Sequence, residues 1–192
     1  TDSLDYILEL NKKWVDFREQ ITSVYLMKIL NDRDPAFMDI RSPSWIAIGW
    51  VAYNYDGKVY ASDESRMLGR MWIDNFLMTE LKPTGGETYN AMMSSEITKI
   101  ATQSSCLDGL PGYNDHVYKP YLWVDIIHNF KMTDNLYLPL AKDQKMKLQI
   151  GILDYIFEKL RTDPEAKEIF TRWSYYRFEG YEDELAVATT HI

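Results

Sequence analysis

The chain has one cysteine, Cys106, in 192 residues, and its only histidines are His116, His128 and His191. A single thiol excludes an internal disulfide framework. It also excludes an iron–sulfur cluster held by this chain alone, since such clusters need several thiolates. Long apolar runs are missing as well. The longest, around Ile46–Tyr53, contains Gly49 and falls far short of the ~20 residues a spanning helix needs. Basic residues are in the minority, with 21 Lys and Arg against 29 Asp and Glu and a formal charge of −8. That balance repels phosphate backbones, so neither nucleic acid nor a membrane is an expected partner. The opening Thr1-Asp2-Ser3-Leu4-Asp5 has no basic segment followed by an apolar one, so no signal peptide is expected, and the absent initiator Met implies a processed or internal start. One thiol suits a reducing cytoplasm.

What is present suffices for a core, because 46% of the residues are hydrophobic and 14% aromatic. The expectation is a single α+β domain over residues 1–180 with an unpatterned tail at 181–192. In it a β-hairpin or small antiparallel sheet packs against four to six helices. Helices are expected at Ser3–Lys13 (Leu4, Ile7 and Leu8 on one face) and Val15–Leu30 (Phe17, Ile21 and Val24), the latter stopped by Asn31-Asp32-Arg33-Asp34-Pro35. Trp45–Tyr53 and Lys58–Ala61 read as strands. The Asp56-Gly57 pair between them suggests a type I′ turn. Ser62-Asp63-Glu64 reads as the capped start of a helix through Trp72. After the break at Pro83-Thr84-Gly85-Gly86, one helix is expected over Glu87–Thr102. Met146, Ile150, Leu153, Phe157 and Leu160 share one face of a further helix ending near Arg161. Thr162-Asp163-Pro164-Glu165 then opens a short helix whose buried face is Ile169, Phe170 and Trp173. No internal repeat is visible.

Between Gln103 and Pro139 periodicity fails, and Gly109, Pro111, Gly112 and Pro120 punctuate the segment. Loops longer than about 15 residues are usually functional or disordered. Tyr113, Tyr118, Tyr121, Trp123, Phe130 and Tyr137 argue for order, and a strand from this loop is expected to enlarge the sheet.

Several words in this chain carry a resemblance. They are Leu8-Glu9-Leu10-Asn11-Lys12-Lys13, Asp39-Ile40-Arg41-Ser42-Pro43, the block Tyr53–Leu68, Val117-Tyr118-Lys119-Pro120-Tyr121 and Ile169-Phe170-Thr171-Arg172-Trp173. Over about residues 3 to 175 the chain resembles the C-terminal SPASM-like auxiliary region of radical SAM peptide maturases of the His-Xaa-Ser type. That resemblance implies a cluster-binding loop, yet Tyr113, His116 and Leu122 stand at the spacing C-x2-C-x5-C. It also implies small residues or glycine where Trp14, Trp45, Trp72 and Trp123 occur. Bulky side chains are therefore expected to refill a vacated cluster cavity. The partial barrel with the C-x3-C-x2-C motif that cleaves S-adenosylmethionine is missing, so this polypeptide alone does not start radical chemistry.

No catalytic residue, cofactor or metal is assigned from the sequence. His116, His128, Asp115, Asp125 and Cys106 are potential ligands, but without a C-x2-C or H-x3-H pairing they read as parts of a packed loop. Asp63 and Glu64 read as helix N-terminal charge, and Glu182, Asp183 and Glu184 as a solvated tail. The binding candidates are aromatic: Trp50, Tyr113, His116, Tyr118, Tyr121 and Trp123 could line a peptide groove, and the hairpin edge could accept an added strand. The expected function is non-catalytic binding of a peptide or protein partner. The alternatives are the accessory half of a split maturase, partnered with a radical SAM subunit, and a redesigned or degenerate stable scaffold.

Overall fold

The computed structural model describes residues 2–31 and 40–175. Asp32 to Asp39, the 181–192 tail, its carboxylates and His191 lie outside them. The described residues form an α+β fold of eight α-helices and one small antiparallel sheet, more helices than the sequence suggests. None of these helices is long and apolar enough to cross a membrane. The chain clusters into two compact units, one within Thr1–Phe37 and Gly151–Ile192, the other within Met38–Ile150.

In the first unit, α1 (Asp2–Lys12) buries Leu4, Ile7, Leu8 and Asn11, the i, i+3, i+4, i+7 stripe of an amphipathic helix. Asn11 sits in that stripe because its amide works locally. Nδ2 donates to Ile7 O at 2.9 Å and to Phe17 O at 2.6 Å, fixing the chain that leaves the helix. α2 (Gln20–Leu30) starts five residues later than Val15 because Trp14 takes φ +63° and ends α1. The chain then runs without regular structure to Glu19, an extended N-cap whose carboxylate accepts from Ile21 N and Thr22 N. Phe17 and Ile21, expected on the buried stripe, are exposed. The buried face is instead Thr22 to Leu26. α2 lies against α8 (Pro164–Ser174), whose Ile169, Phe170 and Trp173 are buried as the spacing predicts. Asp163, rather than Thr162, is the α8 N-cap, accepting from Glu165 N and Ala166 N, and Pro164 fills the first-turn position where its missing N–H is harmless.

In the second unit, β1 (Ala52–Tyr53), β2 (Lys58–Tyr60) and β3 (Leu77–Glu80) pair in that order, with Tyr53 opposite Val59 and Val59 opposite Thr79. The third strand comes from Leu77–Glu80 and not from the 103–139 loop. Positive φ in the hairpin turn is confined to Gly57, at +84°, with Gly57 N bonded to Asn54 O and Asn54 N to Lys58 O. This is a turn closed by a left-handed glycine, not type I′, because only one residue adopts the left-handed region. Most of Trp45–Tyr53 is not strand either. The N–H groups of Ile48, Gly49 and Trp50 converge on Trp45 O at 2.9–3.3 Å, and the segment curls with the Trp45 ring over Gly49. A Cβ on Gly49 would fall 2.9 Å from Trp45 Cβ and closer still to its ring, so glycine permits the curl that strand propensity opposes.

α3 (Asp63–Arg70) starts in a capping box of Ser62 and Ser65, and α4 (Gly85–Ser94) in one of Thr84 and Glu87. The single helix expected over Glu87–Thr102 is two, α4 and α5 (Glu96–Ser105). Ser95 serves both, its N–H bonded to Met92 O and its Oγ accepting from Ile97 N. The 103–139 segment contains α6 (Ile126–Thr133), capped by Asp125 and ended by Asp134 at φ +55°. Finally, α7 (Gln144–Thr162) appears where the sequence places it.

Candidate interaction site: the aromatic loop and two exposed tryptophans

After α5 the chain makes a 3-10 turn at Leu107–Gly109, burying Leu107 and Leu110. Gly112 at φ +84° lets the chain turn beside Leu140, whose N–H bonds Pro111 O at 3.1 Å. This delivers Tyr113 into the core at 0% exposure. Its hydroxyl donates to Asp143 Oδ2 at 2.9 Å. Asp143, buried ahead of α7, also accepts from Asn129 Nδ2 at 3.1 Å and Met146 N at 3.0 Å. Burial first, then the carboxylate charge, pushes the Tyr113 hydroxyl far above the usual phenol range. Tyr113 therefore holds the loop to α6 and α7 and presents nothing to a peptide.

His116 folds back on its own backbone. Nδ1 accepts from Tyr118 N at 3.2 Å, and the two rings lie 5.7 Å apart. Lys119 ties Asp108 and Asn114 together, and that ammonium holds the Asp108 carboxyl below its usual range. Tyr118 and Tyr121 are half-buried around the 3-10 turn Lys119–Tyr121. Leu122 and Val124 are buried, with Trp123 half-buried between them. The Gln149 side chain pairs with both backbone groups of Trp123, accepting from its N–H at 3.3 Å and donating to its C=O at 3.1 Å. Lys145 Nζ stands 4.7 Å over the Trp123 ring and 2.5 Å from Asp125 Oδ2, whose other oxygen caps α6. Trp50 belongs to the curl before β1, a separate element from the loop.

Of the three residues at cysteine spacing, Tyr113 and Leu122 are core and His116 bonds its own chain. Among the described residues no group of three His, Cys, Asp or Glu is placed to hold a metal ion. Cys106 is half-exposed with Sγ 3.9 Å from Asp108 Oδ2, and the His128 N–H serves the α6 cap. Asp63 pairs with Arg66 one turn into α3, consistent with a charged helix start.

The tryptophans overturn part of the refilled-cavity expectation. Trp14 is 91% exposed and Trp72 93%, so neither fills an interior. Both end a helix in the same way. Trp14 N bonds Asn11 O and Val15 N reaches back to Leu10 O; Trp72 N bonds Gly69 O and Ile73 N reaches back to Leu68 O. With φ of +63° and +64°, each is the left-handed residue of a Schellman motif, a place glycine favours because it has no Cβ. Sequence reasoning marked both positions as sites of replaced glycine but assigned them to the interior. The shared pattern Leu-x3-Trp-Val/Ile marks both helix ends, with Ile73 half-buried after Trp72 and Val15 exposed after Trp14. No family model, curated protein or solved structure matches this chain.

Proposed function

We propose that this chain is a non-catalytic binding module, on the cluster-free scaffold its resemblance implies, that offers exposed tryptophan to a peptide or protein partner. The reading is carried by Trp14 and Trp72, two indoles almost wholly in solvent at backbone positions that disfavour any side chain. A left-handed non-glycine residue costs roughly 1–2 kcal/mol, and an indole in water returns nothing to the fold. Tryptophan is, however, the side chain most enriched among the anchors that dominate association energies. Met67 on α3 and Met71 at its C-cap are also exposed, and their unbranched thioethers can adapt to a partner's shape next to Trp72. The half-buried His116, Tyr118, Tyr121 and Trp123 add a second aromatic surface. A chain with a single cysteine suits a reducing cytoplasm, where we place this activity.

The test pans the immobilised chain against a random peptide library displayed on phage and titrates the enriched peptide with tryptophan emission as readout. Enrichment, a blue shift on binding, and loss of both in Trp14→Gly or Trp72→Gly are expected, with both variants still folded. No enrichment over bare support, or an affinity unchanged from the parent in both variants, would overturn the proposal.

A further inference from the structure

We draw no further inference here: the strongest candidate, the exposed apolar patch of Tyr53, Tyr55 and Leu81 at the tip of the β1–β2 hairpin, is an unpartnered face, and nothing in the structure shows what covers it.

Discussion

The loop over residues 107–123 and the corner after α3 are both aromatic, and they use their rings in opposite ways. In the loop, Tyr113 disappears into the interior because a buried carboxylate is waiting for its hydroxyl. At the corner, Trp72 is turned outward by a left-handed backbone that directs the following Ile73 back toward the helix. Aromatic content alone does not distinguish the two. What decides is whether a polar partner accompanies the ring inward and which residue the local turn points at the core.

The largest expected effect removes the partner in the loop. Asp143→Ala strands the Tyr113 hydroxyl, the Asn129 amide and the Met146 N–H together, at about 1–3 kcal/mol for each buried unpaired group. Urea unfolding should show a loss of about 3 kcal/mol or more, whereas a loss under about 1 would mean that Asp143 does not organise the loop. Next comes the corner's own support. A Cβ on Gly69 would fall 2.7 Å from Tyr60 Cε1 and closer to its hydroxyl, which Asp74 holds at 2.7 Å. Gly69→Ala should therefore destabilise by about 2 kcal/mol despite alanine's better helix propensity. Gly151→Ala, with nothing within 4 Å of the new methyl, should instead stabilise α7 by up to about 1 kcal/mol. If Gly69→Ala raises the midpoint as well, the packing argument at Gly69 is wrong.

Trp72→Gly should move stability the other way from Gly69→Ala. Relief of left-handed strain, less glycine's extra unfolded-state entropy, leaves a gain of about 0.5–1 kcal/mol. A variant less stable than the parent would show that the indole contributes to folding after all. The last effect, a pH dependence beneath the corner, is felt only in strongly alkaline solution. Burial and the Asp74 bond push the Tyr60 hydroxyl from 10.0 up to about 12. The folded state therefore keeps a proton that the unfolded state releases first. The resulting stability is intact below pH 10 and fades as pH climbs toward 12. Tyr113 and Tyr155 are pushed up further still, so absorbance titration should find several late-ionising tyrosines, of which the earliest is lost in Tyr60→Phe; an unchanged late phase in that variant would reassign the group.

Much of the scaffold was legible because its signals are local. Ser62 ahead of two acids, Asp163 before Pro164, and the heptad-like spacing of α7 each specify a helix start or face without help from distant residues. Elements that depend on distant partners were not legible. Trp45–Val51 has strand composition, yet a glycine under an indole curls it. α6 is short with Ile126, Ile127 and Asn129 all buried, so it shows no amphipathic period to read. Ser95 splits one periodic stretch because a hydroxyl can cap one helix just where the previous one stops. For the candidate site, the sequence singled out Trp14, Trp72 and Tyr113, but the exposure of the two indoles follows from left-handed helix ends and the burial of Tyr113 from the distant Asp143 carboxylate.

Those dihedrals also give the molecule an optical asymmetry. Trp173 is shut away at 1% exposure, whereas the indoles that close α1 and α3 meet any small quencher in solution. Iodide should therefore extinguish the corner emission and spare the interior. Because Trp14 and Trp72 belong to different compact units, the quenchable emission lost on replacing either by phenylalanine reports on its own unit, above the steadier signal of Trp45, Trp50 and Trp123.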